Sequence, residues 1–350
     1  MSSPANALVV QAGESVPEMQ AFLVRSGLAN AETPARWTPL TGGVSSDIWL
    51  VELPERKVCI KRALAKLKVQ ADWQAPVSRN AYEWEWMKFA SKIEPHAVPT
   101  PLAQDLDAGL FAMQFLPPEQ YPVWKSQLMD GHIDLQVAAD VGRLLAHLHR
   151  ASERDPVVEQ TFATDENFHA LRLEPYLLAT AERHPKLAKR LRELVRTTAT
   201  THEALVHGDV SPKNILVGAG GPVILDAECA WYGDPAFDVA FLLNHLLLKC
   251  LVNPGRKADY LASFEQFVLA YFHSAPNEAV EQRAAALLPA LMLARVDGKS
   301  PVEYITDDVP RDLLRRFASA LIETPVQKLW HVAYRWNEHL QELQQTAFTR

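Results

Sequence analysis

The apolar positions of this chain follow two different rhythms. Up to about residue 116 they come in short runs suited to strands; beyond it they recur every three or four residues, the period of a helix. Val16–Leu28 sets Met19, Phe22 and Leu23 on one side of a short helix. Trp37–Leu40, Ile48–Leu53 and Lys57–Lys61 read as strands, the last two joined by a turn through Pro54 and Glu55. Asn80–Ser91 predicts a helix that ends before Pro95, and Gly109–Leu116 predicts a further strand stopped by Pro117 and Pro118. In the second regime Asp134 stands as a helix N-cap before a stripe of Val137, Val141, Leu144, Leu145 and Leu148. Leu187–Arg196 is another amphipathic segment. Leu205–Val206 and Ile215–Val217 are short strand-like runs. The turn Gly218-Ala219-Gly220-Gly221 leads from the second of these into Val223–Leu225 and predicts a hairpin. From Phe237 onward the pattern is nearly all helical, and no internal repeat or low-complexity tract interrupts it.

The expected organisation is therefore mixed, α/β of the α+β kind. A small β-rich lobe covers residues 1–116, with 1–14 as a flexible leader, and a larger helical lobe with a short β insert covers 117–350. Clefts between lobes are common ligand sites.

Composition narrows the function classes. The 350 residues carry a net charge of −7, which argues against a broad basic surface for nucleic acid. The three cysteines, Cys59, Cys229 and Cys250, are odd in number and form no CxxC pair. That pattern argues against a disulfide framework or structural zinc and fits a reducing, cytoplasmic setting. The longest apolar region, Val239–Leu248, is broken by Asn244 and His245 and is too short to span a bilayer. The first residues lack the basic and apolar regions of a signal peptide, so no membrane partner is expected.

The strongest chemical signal is His207-Gly208-Asp209-Val210-Ser211-Pro212-Lys213-Asn214, just after the strand-like Leu205–Val206. Phosphoryl transfer needs a carboxylate to orient an attacking hydroxyl and take its proton, and oxygen ligands for Mg²⁺. A loop of this length carries both: Asp209 at the nucleophile and Asn214 on the metal, the spacing that protein kinases use in their catalytic loop. Twelve residues after Asn214 stands Asp226, within Ile224-Leu225-Asp226-Ala227-Glu228 at the end of the expected hairpin. There Asp226 would bind the Mg²⁺ that bridges the phosphates, and Glu228 a second metal or its waters.

HGDxxxxN, a hairpin and LDxE together resemble the aminoglycoside phosphotransferase and choline kinase superfamily over roughly residues 35–320. The stretches Glu174-Pro175-Tyr176 and Ala230-Trp231-Tyr232-Gly233-Asp234-Pro235-Ala236-Phe237-Asp238 are most similar to methylthioribose kinases, from which VSPKN after HGD departs. The resemblance implies a two-lobed protein-kinase-like fold, ATP and Mg²⁺ as cofactors, and phosphoryl transfer to a hydroxyl of a small molecule. It places Gly42, Gly43 and Ser45 in the turn that covers the phosphates and Lys61 on their α/β oxygens. Glu83 and Glu85 compete to pair with that lysine; Glu83 fits better, because it lies one turn before Met87 on the same stripe. The segment Met113, Gln114, Phe115 and Leu116 would meet the adenine.

Other residues admit plainer readings. Trp231, Tyr232, Asp234, Arg172 and Arg295 are candidates for contacting the acceptor or its phosphate; packing or a structural ion pair would explain them as well. His207 is expected to tie the catalytic loop to neighbouring backbone. His147 and His149, two apart on a helix, do not face each other, so they are expected to be packing and surface residues. Asp238 either braces the catalytic loop or caps the helix beginning near Val239. The basic run Lys186–Arg196 is most simply a solvated helix face. A protein kinase is the less favoured reading, since GxGxxG, DFG and APE are missing from the sequence. A non-catalytic binding protein on the same fold is a further rival. The acceptor is open among sugars, amino alcohols, hydroxylated amino acids and aminoglycosides, and the assembly between monomer and homodimer.

Overall fold

A computed structural model of the chain describes residues 15–40, 46–64 and 79–348. The chain divides into two compact units, Met1–Asn80 with Pro101–Phe115, and Ala81–Thr100 with Leu116–Arg350. The stretch 81–100 thus counts with the helical unit although it interrupts the β-rich one in sequence.

In the first unit five antiparallel strands form one sheet: β1 (Arg36–Leu40), β2 (Ser46–Glu52), β3 (Lys57–Ala63), β4 (Pro101–Asp105) and β5 (Leu110–Gln114). Their spatial order is β1-β2-β3-β5-β4. The period of two along β3 decides what faces where. Val58 and Ile60 join Val51, Leu110 and Ala112 in a core closed by Met19, Phe22 and Leu23 of the helix Ser15–Arg25. Lys61 takes the alternate parity on the central strand, opposite Ile48 and Phe111, and is buried. The strand β4 was not expected. It is short, opens on a proline and mixes polar with apolar positions, so it carries no alternation to read.

In the second unit Asp134 caps the helix Leu135–Ser152, accepting the Gln136 N–H at 2.8 Å, and the predicted apolar stripe is buried. This helix packs against Lys257–Ser274, with Gly142 at the crossing; a Cβ there would stand 2.6 Å from the Phe267 carbonyl oxygen. The helix Ala236–Val252 runs through the core with Glu278–Asp297 against it. The expected hairpin forms as β7 (Ile215–Gly218) and β8 (Gly221–Ile224). Before it, β6 (Ala204–Val206) pairs antiparallel with β9 (Trp231–Gly233), bringing the segments on either side of the hairpin together. The architecture is that of a protein-kinase-like α/β protein, with an antiparallel sheet in one unit and helices dominating the other. No described helix is long and apolar enough to cross a membrane.

Candidate active site

The loop after β6 turns sharply because of one glycine. Gly208 has φ +78°, in the left-handed region, and a Cβ there would lie 2.6 Å from the Cys229 carbonyl oxygen. Any larger residue would meet both a strained backbone and a clash. The turn is held from behind by Asp238, wholly buried in the first turn of Ala236–Val252, which accepts the N–H groups of His207 and Gly208, each at 2.8 Å. That helix has no side-chain cap, so of its two expected roles Asp238 takes the bracing one. His149 reaches the same carboxylate at 3.2 Å and Tyr271 at 2.7 Å, while His147 lies at the surface against Glu94.

His207 sews the loop to the hairpin. Its Nδ1 accepts the Asp209 N–H at 3.1 Å, so the ring proton sits on Nε2, which donates to the Leu225 carbonyl at 3.1 Å. Burial lowers its pKa despite nearby Asp238 and Asp209, which keeps this neutral tautomer. A second stitch runs from the Leu225 N–H to the Asn214 carbonyl at 2.9 Å. Asp209, Asn214 and the residue just before Asp226 are therefore bound into one group by bonds at both ends of the loop.

Asp209 is buried at the centre. Three donors meet its Oδ2: Arg172 at 3.1 Å, Lys213 at 3.1 Å and the Asn214 side-chain amide at 3.0 Å. None of these three bonds ends on Oδ1. Burial pushes the carboxyl up, but Arg172 and then Lys213 outweigh it and hold it below the ordinary carboxylate range. Asp209 and Lys213 also raise each other's preference for the charged state, and burial of Arg172 is likewise overcome by Asp209.

Arg172 reaches in from an unusual helix. Residues His169–Leu178 wind with the wide turn of a π-helix around Pro175, which has no N–H to give. Arg172 donates to the Gly208 carbonyl, to Leu171 at 2.7 Å and to Asp209, and its guanidinium lies over the rings of Tyr176 and Phe241 at 5.8 and 5.7 Å. The structural ion pair weighed for Arg172 is thus present, and it is made with the central carboxylate itself. Lys213 stood inside the quoted motif without a role. Its position four residues after Asp209 was the available signal.

Asp226 has φ +69°, one of two non-glycine residues at positive φ among those described. Such a conformation costs of order 1–3 kcal/mol and persists where the surroundings impose it, often at functional sites. Glu228 is buried, and its carbonyl accepts from Asn167 at 3.0 Å. As a donor set for a divalent cation these residues are suitable. Asn214 turns its amide nitrogen to Asp209, which leaves its amide oxygen as the ligating end, and Asp226 and Glu228 add carboxylates. Among the described residues no group of three or more His, Cys, Asp or Glu could hold a metal alone. Mg²⁺ commonly completes its shell with phosphate oxygens and water, so a set of two or three protein donors fits that ion.

The remaining expected residues stand as follows. Trp231 stacks on Phe168 at 4.3 Å and donates to Asp165 at 2.9 Å; Tyr232 accepts the Arg154 N–H at 3.0 Å and donates to Glu203 at 3.3 Å. Asp234 pairs with Arg283 at 3.0 Å. None of these partners belongs to the Asp209 group. Arg295 binds the Tyr176 hydroxyl at 3.0 Å and Ser300 at 2.6 Å. Gly42, Gly43 and Ser45 lie outside the described residues. In the other unit Lys61 is buried in β3, Met113 and Gln114 end β5, and Phe115 follows. Leu116 begins the next part of the second unit. On the helix Arg79–Ile93, Glu83 is buried, whereas Glu85 is partly exposed and pairs with Lys88 at 3.0 Å.

Comparison with known proteins bears on this geometry. The family model described as "phosphotransferase enzyme family" matches residues 36–265. A methylthioribose kinase of Escherichia coli is 26% identical over 266 residues, covering 65% of this chain and 62% of that protein. One of Bacillus cereus is 25% identical over 244 residues, covering 62% of each. The chain thus spans less than two thirds of the length of these curated relatives. Among solved structures, a choline/ethanolamine kinase family protein from Mesorhizobium loti superposes with a TM-score of 0.51 at 16% identity, covering 93% of this chain and 99% of that one. An amicoumacin kinase in complex with AMP-PNP, Ca²⁺ and Ami gives 0.50 at 17% identity, covering 84% and 90%.

Proposed function

This chain belongs to the phosphotransferase enzyme family, and on that premise we propose that it transfers the γ-phosphoryl group of ATP, with Mg²⁺, to a hydroxyl of a small metabolite. The observation that carries the reading is the single-sided grip on Asp209. Three donors occupy Oδ2, and Oδ1 remains for an acceptor hydroxyl.

The depressed pKa makes Asp209 an ionised acceptor of a hydrogen bond and only a weak base. In a loose phosphoryl-transfer transition state the nucleophile's proton is lost late, so alignment counts for more than basicity. The Arg172, Lys213 and Asn214 bonds fix the carboxylate plane and so the direction in which Oδ1 points. Asn214 and Asp226 would hold Mg²⁺, with Glu228 beside them. That ion supplies charge neutralisation on the phosphate oxygens. Lys61 and Glu83 are assigned the α/β-phosphates and the carboxylate partner of that lysine. The segment Met113, Gln114, Phe115 and Leu116 is assigned the adenine, and the assignment extends to Gly42, Gly43 and Ser45 by sequence alone. The methylthioribose kinase likeness favours a sugar-like acceptor.

Asp209→Asn tests the reading. It keeps volume and removes the charge that aligns the hydroxyl. We expect Mg²⁺-dependent ADP release across a panel of hydroxylated metabolites to fall by about 10²–10⁴-fold, with ATP affinity changed by less than about threefold. Near-parental turnover in the variant would refute the role of Asp209. Nucleotide and metabolite binding without any turnover in the parent would favour a non-catalytic protein.

A further inference from the structure

One cluster in the second unit is left unexplained by phosphoryl transfer. Lys249, on the helix Ala236–Val252, is 1% exposed, and its Nζ has no hydrogen-bond partner among the described residues. It lies 5.2 Å from the ring centroid of Tyr304, whose hydroxyl is also buried without a partner. Arg295 Nε is a third such atom. An ammonium and a guanidinium N–H are donors only, and a phenol hydroxyl donates readily. A buried donor left unmade costs about 1–3 kcal/mol, more when charged, so three in one neighbourhood call for an acceptor.

The charges nearby agree. Lys125 and Arg295 both act on Lys249, and the carboxylate that also acts on it, Glu303, is taken by an ion pair with Lys125. His245, one turn before Lys249 on the same helix face, is kept neutral by burial and by the surrounding cations, Lys213 among them. The Tyr176 ring links the cluster to the group around Asp209. Arg295 lies 5.5 Å from the Tyr176 ring centroid and bonds its hydroxyl, and Arg172, which pairs with Asp209, lies over the same ring.

We infer that the acceptor presented to Asp209 carries an anionic group, a carboxylate or a phosphate ester, received by Lys249, Tyr304 and Arg295. This rests on the kinase reading of the same site and narrows it. Amino alcohols and aminoglycosides, which are cations, would meet like charge here, and a neutral sugar would leave the donors poorly satisfied. Burial and Lys125 push the Lys249 amine down to about 7. A bound anion favours its protonated form, so binding takes up a proton and weakens as pH rises through that value. The groups that face Lys249 are Lys125 from the helix Trp124–Met129, Arg295 from Glu278–Asp297, Glu303 and Tyr304 from the segment beyond, and His245 on its own helix.

Calorimetry on the full chain without nucleotide tests the site apart from turnover. The probes are gluconate, ribose 5-phosphate, ribose and choline at millimolar concentration. We expect gluconate or ribose 5-phosphate to bind, whichever does so identifying the anion, and ribose and choline to bind at least tenfold more weakly. Lys249→Met should cost the anion about tenfold or more in affinity, and Tyr304→Phe, which removes one hydroxyl, a smaller factor. The parent should bind more weakly at pH 8 than at pH 6. Equal binding of choline, no binding of either anion, or a Lys249→Met variant that binds the anion as the parent does would each overturn the inference. Anion binding with no ADP release from any hydroxyl compound would keep the anion site and remove the kinase reading.

Discussion

Asp238 Oδ1 accepts the backbone N–H of Gly208 at 2.8 Å, which hangs the turn before Asp209 from the core helix behind it. Because its Oδ2 takes the His207 N–H as well, one carboxylate satisfies two successive buried donors. The position of Asp209 is therefore set from a residue twenty-nine further along the chain.

Asp238→Ala should orphan both N–H groups. We expect a loss of about 3–5 kcal/mol in urea unfolding of the second unit, since each unmade bond to a charged acceptor costs about 1.5–3 kcal/mol. Asp238→Asn keeps one acceptor oxygen and should lose about half as much, while turnover drops at least tenfold in both. A fully active, fully stable Asp238→Asn protein would show that the loop is placed by something else.

Asp226 offers a way to separate stability from metal binding. Glycine tolerates φ +69° and aspartate does so at a cost, so Asp226→Gly should leave unfolding free energy within about 1 kcal/mol of the parent, on either side. The same change removes a carboxylate donor and should abolish the Mg²⁺ dependence of ATP binding measured by calorimetry. Retained Mg²⁺ dependence would dismiss Asp226 as a ligand.

Arg172 is expected to set the acid limb of the pH profile. The folded-state pKa of Asp209 lies below its ordinary value of 3.8, so the pair contributes stability above that value and loses it as pH falls through the folded pKa. Arg172→Met removes the largest charge that opposes burial and leaves Lys213 as the main one remaining. The carboxyl should then titrate higher, and the acid limb of kcat/KM should move up by about one pH unit or more. Arg172→Lys should restore part of that shift, being a charge without the fork that also holds the Gly208 carbonyl. An unmoved limb in Arg172→Met would mean that the arginine does not govern Asp209.

Much of the local structure was legible beforehand. The Asp134 cap, the stripe from Val137 to Leu148 and the Gly218–Gly221 hairpin each follow from residues within a turn or two of one another. Strand β9 was not legible: Trp231, Tyr232 and Gly233 are too short a run to read as a strand, and only the partner β6 makes them one. The choice between Glu83 and Glu85 was read from a helical stripe, and their burial follows that stripe.

What the sequence determined by itself was the inventory of chemistry and its order: a carboxylate and an amide five residues apart, a hairpin, then a second carboxylate. Short spacings suffice for that, because neighbouring residues constrain each other's backbone whatever lies beyond. Tertiary structure alone decided that Arg172 and Asp238 close on the loop that carries Asp209, and that Lys249, Tyr304 and Arg295 share a buried neighbourhood rich in positive charge. Those relations join distant segments: burial of apolar surface brings the segments together, and the ion pairs and hydrogen bonds made there offset the cost of desolvating their charges, which no local pattern records.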